Sequence, residues 1–193
     1  MSILDQLTQH LDPATIGSIA GKLGIDPAKA QSAIASALPT IVGAIAKNTQ
    51  KDGGAAQLSN ALDKHDGSIL EQLQAAGPSI AEHGQKILSH VFGAKKQAAA
   101  DGVAQQSGLP MEDVTALLGT LAPIVMGVIG KKKKEENLDA TQVAHALQAD
   151  VDKAHAQSGG LLSQLDANGD GNVMDDIAKQ GGNVLGALFG GAK

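Results

Sequence analysis

The chain has 193 residues, of which 42% are hydrophobic and 1% are aromatic. This length suits one medium domain or two small ones, and the scarcity of aromatic side chains argues against an all-β core. The absence of cysteine excludes disulfides and cysteine-ligated zinc. All 15 basic residues are lysine and the net charge is −5. A general nucleic-acid binder is therefore not expected, because such proteins present a basic, usually arginine-rich surface.

The first part of the chain predicts helices separated by tight turns. Apolar residues recur at intervals of three and four in segments 16–23 and 34–45, which is the spacing of one helix face. The Asp-Pro pairs at 12–13 and 26–27 suit helix starts, because aspartate caps the first turn and proline fits it. Gly24 suits a helix end, where a positive φ is needed.

A tandem duplication organises the chain. Residues 17–47 align with residues 101–131 without a gap, and later segments match in the same order. Repeats of this kind predict a fold built from similar structural units. We expect two homologous helical units, residues 1–93 and 94–193. The glycines and prolines that coincide include Gly24 with Gly108, Pro39 with Pro123, and Gly43 with Gly127.

The strongest apolar run covers residues 114–130, and four lysines follow it at 131–134. Its 17 residues reach the lower limit for a membrane span, and the lysines resemble a positive flank. A membrane-inserting hairpin or anchor is one interpretation. We favour a buried segment in which Pro123 breaks or kinks the helix, as Pro39 does in the matching run of the first unit. The composition of segment 130–137 predicts a solvated, charged loop. A polybasic patch for lipid or phosphate is the alternative, which Glu135 and Glu136 weaken.

The N-terminus has no basic stretch followed by a long apolar stretch. A secretory signal peptide is therefore not expected, and we expect a cytoplasmic protein.

Residues 16–38 have the spacing of a helix-turn-helix, with Gly24 in the turn, and the second unit repeats it around Gly108. This spacing is common to short helix pairs and does not by itself indicate DNA binding. The second unit places Glu112 and Asp113 where a recognition helix needs cations for phosphate. DNA binding therefore remains a rival hypothesis rather than the preferred one.

Several short motifs of the first unit form one pattern. The motifs are Leu23-Gly24-Ile25-Asp26, Ala37-Leu38-Pro39, Gly43, Gly53-Gly54-Ala55 and Leu58 through Leu62. This pattern resembles the YidB-like family of uncharacterised bacterial proteins, the domain of unknown function nine-three-seven, here in tandem copies. The resemblance implies an all-α, homeodomain-like arrangement of helices and no established activity, and it supplies no catalytic residues.

One segment near the C-terminus has the composition of an ion site. It follows the first half of an EF-hand loop, D-x-[DN]-x-[DN]-G, in which side-chain oxygens alternate along the chain and glycine allows a sharp turn. The bidentate glutamate expected at position 12 is replaced by Ile177, and a carboxylate at position 10 or 11 can take its place. The predicted ligands are Asp166, Asn168, Asp170, Asn172, Asp175 and Asp176.

Hard oxygen ligands favour Ca²⁺ over transition metals. Without the bidentate glutamate we expect weak affinity, about 10⁻⁴–10⁻³ M, as in extracellular calcium modules. The alternative is an ordinary polar turn, in which short Asn and Asp side chains satisfy the backbone.

The remaining candidates for chemistry are weak. The six histidines are scattered, and we interpret them as surface or half-buried residues: His10, His65, His83, His90, His145 and His155. Gly182, Gly186 and Gly190 are spaced for close helix contact, within the chain or in a homo-oligomer.

The sequence thus predicts an all-α protein of two homologous units of short helices, arranged like homeodomains or helix-turn-helix domains. We expect a non-enzymatic structural or interaction protein with a weak Ca²⁺ loop, because no catalytic constellation is visible. Its partner is an unknown protein or a second copy of the chain, and neither nucleic acid nor membrane is expected. A helix-turn-helix DNA-binding protein and a membrane-active protein are the alternatives.

Overall fold

A computed structural model describes residues 1–71 and 78–157 of the chain. Every regular element in this part is helical, which confirms the all-α class. Two compact units are present, Met1–Val151 and Asp152–Lys193. The helices are α1 (Ile3–His10), α2 (Pro13–Leu23), α3 (Pro27–Thr49), α4 (Gly54–Leu62), α5 (Ser68–Glu71), α6 (Pro78–Phe92), α7 (Lys96–Ser107), α8 (Met111–Glu135) and α9 (Ala140–Gln157), with a 3₁₀ turn at Gly93–Lys95.

Short polar side chains start several helices, as the sequence predicts. The Asp12 side chain accepts a hydrogen bond from the Thr15 N–H at 2.7 Å, and Asp26 accepts one from Lys29 N–H at 3.0 Å. Proline occupies the first position of both α2 and α3. These caps satisfy backbone donors that have no partner within the helix.

The two predicted copies place their glycines and prolines at matching points of two helix pairs. Gly24 ends α2 at φ 69°, and Gly108 ends α7 at φ 65°. Pro39 is the thirteenth residue of α3, and Pro123 is the thirteenth residue of α8. The glycines and prolines thus occupy equivalent positions in the two helix pairs, as the duplication predicts for these segments.

We expected a break or a kink at the internal prolines, and the break is wrong. Helices α3 and α8 continue through Pro39 and Pro123, and they are 23 and 25 residues long rather than short. An internal proline costs about 3 kcal/mol, whereas each large apolar side chain that is fully buried contributes about 1.5–3 kcal/mol. Leu121, Ile124 and Val125 flank Pro123 and are 0% exposed, so burial outweighs the proline penalty.

Helix α8 is the centre of the first compact unit. It contacts every helix from α1 to α7, and residues 117–130 are buried without interruption. It is the one helix of the described residues that is long and apolar enough to cross a membrane, yet 83% of its apolar window is buried inside the protein. The predicted burial of the run 114–130 is therefore confirmed.

The two sequence repeats do not correspond to two separate compact bodies. Helix α6 lies before the predicted boundary at residue 93, and α8 lies after it, yet these two helices share the most extensive contact among the described helices. The compact unit Met1–Val151 accordingly contains the whole first repeat and much of the second. The division at 93/94 stays a prediction about repeat boundaries.

Glycine allows the backbones of α6 and α8 to touch. A methyl group added at Gly84 of α6 would overlap the carbonyl oxygen of Gly119 in α8. This carbonyl lies four residues before Pro123, so it is the one that the proline leaves without its helical donor. Beside it, the Gln85 side chain donates to the Thr115 carbonyl at 2.7 Å.

Helix α3 also contains a backbone carbonyl that a proline leaves without its helical donor, but this carbonyl lies at the protein surface. The carbonyl that Pro39 leaves without a donor belongs to Ala35, and both residues are exposed. Water can reach this turn, so no second backbone has to approach it. The first copy has Ala35 where the second has Gly119. Glycine is needed at position 119 because α8 is buried there and a second backbone approaches it closely.

We predict opposite effects for two Gly→Ala substitutions in helices. Gly84→Ala should destabilise the protein by about 1–3 kcal/mol or more, because the added methyl group overlaps backbone that cannot move away independently. The matched change Gly102→Ala in α7 meets no atom within 4 Å and should stabilise the protein by up to about 1 kcal/mol through helix propensity. Urea unfolding of both variants measures the difference, and equal stability of the two would contradict the close contact of α6 with α8.

Candidate functional site

Residues 63–67, called here the 63–67 loop, join α4 to α5 and lie against the C-terminal half of α8. A methyl group added at Gly130 would overlap the His65 carbonyl oxygen. Gly67 has φ 95°, and a methyl group there would crowd the Lys131 side chain. Both glycines are therefore required for the loop to rest directly on the helix.

The loop supplies carboxylates to the lysine run of α8. Lys133 Nζ lies 2.5 Å from an Asp63 oxygen and donates to the Ser59 carbonyl at 3.0 Å. Lys134 Nζ lies 3.7 Å from Asp66. Asp66 also accepts a hydrogen bond from the Ser68 N–H, which is the largest cause of its lowered pKa.

The other two lysines pair within the helix. Lys132 is only 7% exposed; its ammonium lies 2.6 Å from Glu136 and 3.1 Å from the Met1 carbonyl. The hydrogen bond from Lys132 lowers the pKa of the Glu136 carboxyl. Lys131 lies 3.9 Å from Glu135.

The prediction of a solvated loop at 130–137 is therefore wrong. The segment is helical to Glu135, and each of its four lysines has a carboxylate within 4 Å. The i,i+4 spacing of lysine and glutamate favours this helical form. Exposed ion pairs stabilise a protein by only about 0–1 kcal/mol each, so their main consequence is that the lysine run is neutralised.

Two open clefts flank the 63–67 loop. The larger, of about 430 Å³, lies between the acidic side chains of the loop and Lys133, Lys134 and Asn137. The smaller, of about 280 Å³, is lined by Lys64, His65, Ser68, Ile69, His83 and Pro123. Within residues 1–71 and 78–157, no three His, Asp or Glu side chains converge as a metal-ligand set.

The smaller cleft brings together two histidines that the sequence does not link. The ring centroids of His65 and His83 are 5.6 Å apart, and the ring planes are inclined at 60°. Burial is the main cause that lowers the pKa of His65, followed by repulsion from His83 and Lys64. No periodicity connects a loop residue with a residue of α6, so the sequence carries no signal for this pair.

The predicted placement of the histidines is confirmed where the structure describes them. His10 and His65 are half-buried, whereas His83, His90 and His145 are exposed. The side chain of His155 lies outside the described residues.

A buried acid holds the start of α1. Asp150 is 5% exposed, and one of its oxygens accepts hydrogen bonds from Ile3 N–H at 2.6 Å and Leu4 N–H at 3.2 Å. These donors belong to the first turn of α1, where the helix dipole also favours negative charge. The acid therefore has a structural role that its place in the sequence does not reveal.

The helix-turn-helix hypothesis gains no support from the second copy. Residues 117–130 of α8 are buried and the helix contacts seven other helices, and its exposed start carries the acidic residue Glu112. In the first copy, Lys29 at the start of α3 is exposed and its ammonium lies 3.4 Å from the Gly108 carbonyl.

The predicted calcium ligands lie outside the described residues. This applies to all six: Asp166, Asn168, Asp170, Asn172, Asp175 and Asp176. The Ca²⁺ loop stays a prediction from sequence.

We predict that acid destabilises the folded protein in two separate pH ranges. The pKa of His65 is lowered in the folded protein, so protons bind the unfolded chain more readily and stability falls as the pH drops below about 6.5. The lowered pKa values of Asp12, Asp66 and Glu136 contribute stability that is present above about pH 4 and is lost only at lower pH.

The variant His65→Gln isolates the first range. The melting temperature of this variant should fall less between pH 7 and pH 5 than that of the wild type. Part of the remaining loss is due to His10, because burial also lowers the pKa of this residue. Thermal melting at pH 7, 6, 5 and 4 measures this. Parallel curves for wild type and variant between pH 7 and 5 would show that His65 does not contribute.

Comparison with known proteins supports the resemblance seen in the motifs. A family model described as "Bacterial protein of unknown function (DUF937)" matches two adjacent segments, residues 5–132 and 132–193. No curated protein matches the chain, and no solved structure matches it, so a homeodomain-like arrangement is not confirmed. The two adjacent matches are consistent with tandem copies, and the chain belongs to this family of bacterial proteins of unknown function.

Proposed function

We propose that the chain is a non-enzymatic, cytoplasmic structural or interaction protein that binds Ca²⁺ weakly through the loop at 166–176. One observation carries the non-enzymatic part. The charged side chains around the larger cleft are committed to one another, with Lys133 held by Asp63 and Lys134 facing Asp66. General acid–base or nucleophilic catalysis needs a group free to exchange a proton with a substrate, and these pairs are used to hold the loop on α8.

The calcium proposal is supported by the alternation of oxygen-bearing residues. Asp166, Asn168 and Asp170 occupy loop positions 1, 3 and 5, and Asn172 offers its backbone carbonyl at position 7. Either Asp175 or Asp176 supplies the ligand that the glutamate of a full EF-hand would provide. Carboxylates crowded together without a cation repel one another, so binding should stabilise this segment.

DNA binding is the less favoured alternative. A binding surface needs several cations directed at phosphate, and the lysine run of α8 faces carboxylates instead. A salt-dependent shift of duplex DNA at neutral pH would favour this alternative over ours.

Membrane activity is disfavoured by the burial of α8 and by the pairing of its lysines with carboxylates. The apolar helix Met111–Glu135 is covered by other helices, and its lysine flank is neutralised. Insertion would have to separate α8 from α6 at their backbone contact. Flotation of the protein with liposomes that contain anionic lipid would favour membrane activity.

We predict that Ca²⁺ binds the wild-type chain and that Asp170→Asn weakens the binding. The amide keeps the size and one oxygen of the side chain but removes one negative charge, and the number of charged ligands tunes the affinity of such loops. Isothermal titration with CaCl₂ after EDTA treatment should show one weak site, with saturation raising stability by about RT ln(1 + [Ca²⁺]/Kd).

Glu112→Gln is the matched control, because it removes one carboxylate from the exposed start of α8. This variant should bind Ca²⁺ like the wild type. Absence of binding by the wild type at 5 mM CaCl₂, or equal binding by Asp170→Asn, would contradict the calcium proposal.

A further inference from the structure

His65 and His83 approach each other from two different elements of the fold. His65 lies in the 63–67 loop and His83 lies on α6, and both line the smaller cleft beside Pro123 of α8. Their ring centroids are 5.6 Å apart. Two rings so placed are either in simple contact or poised to share a ligand.

The distance fits a shared metal ion. Imidazole nitrogens bind Zn²⁺ at about 2.0–2.1 Å with tetrahedral angles, which places the centroids of two ligating rings about 5 Å apart. The observed separation of 5.6 Å, with ring planes inclined at 60°, is close to this value. Parallel stacked rings could not direct their nitrogens to one point.

We propose that His65 and His83 form a two-histidine site for a borderline transition-metal ion such as Zn²⁺, with water completing the coordination shell. The cleft of about 280 Å³ is open and offers room for these waters, next to the Ser68 hydroxyl. The site is distinct from the predicted calcium loop, because imidazole suits zinc, copper and nickel whereas carboxylate and carbonyl oxygens suit calcium.

The local electrostatics supports metal binding at neutral pH and limits its strength. Burial disfavours the charged form of the His65 ring and lowers its pKa, and the neutral ring is the form that binds a metal. Lys64 lines the same cleft, and its positive charge opposes a cation. Two protein ligands, against the usual four of structural zinc sites, make the binding weak and reversible.

Metal binding would fasten the 63–67 loop to α6. The loop is already held on α8 through the Asp63–Lys133 pair, and the two histidines add a link to the neighbouring helix. Because the ion binds only when both elements are in place, it stabilises the folded protein by mass action.

Titration of the full-length chain with ZnCl₂ tests the proposal. The protein is treated with chelator and kept in 5 mM CaCl₂, so that the oxygen ligands of the calcium loop are occupied. The wild type should bind one Zn²⁺ through imidazole, and His83→Ala should weaken this binding at least about tenfold, since even supporting residues of a metal site contribute 10–100-fold.

His90→Ala is the matched control, because His90 is exposed on the same helix seven residues further on. It should bind Zn²⁺ like the wild type, and His65→Gln should lose binding like His83→Ala. With Cu²⁺ as a second probe, electron paramagnetic resonance should show two coupled nitrogens in the wild type and one in His83→Ala. Equal Zn²⁺ affinity of the wild type and His83→Ala, or no binding by the wild type at 1 mM ZnCl₂, would overturn the proposal and leave a simple ring contact.

Discussion

The structure depends on the direct contact of backbone with backbone around α8. At two places along this helix a neighbouring backbone comes so near that a single methyl group would not fit, at Gly84 against Gly119 and at Gly130 against His65. The close approach lets α6 and the 63–67 loop cover the helix, so that residues 117–130 are buried.

The burial of α8 explains why a segment with membrane-like hydropathy sits in the core of a compact unit. Its apolar side chains are covered by helices rather than by lipid, and its lysines extend from the end of the buried segment to meet carboxylates. The buried apolar segment of α8 and the paired lysines that follow it therefore belong to one arrangement. The same loop that supplies Asp63 and Asp66 also carries His65, so the carboxylate pairs and the histidine contact depend on the position of a single short segment.

Local features of the fold were predictable from sequence, and long-range ones were not. The caps at Asp12 and Asp26 and the glycine ends at Gly24 and Gly108 follow from backbone preferences of single residues. The continuity of α8 through Pro123 depends on burial by other helices, which outweighs the local penalty. The pairing of Lys133 with Asp63 joins residues 70 positions apart, and the contact of His65 with His83 joins a loop to a helix. Neither has a periodic or motif signal. The calcium loop follows from spacing alone and rests on the oxygen-ligand pattern at 166–176.

The most direct test of the buried central helix uses the natural absence of cysteine in this chain. Val125→Cys places a slightly smaller side chain at a position that is 0% exposed, and Ser32→Cys places a thiol at an exposed position of α3. In native buffer, a thiol reagent should modify Ser32→Cys at the rate of a free thiol. It should modify Val125→Cys only as fast as the protein unfolds, with or without liposomes present. Equal rates for the two variants under native conditions would contradict the enclosure of α8 by the surrounding helices.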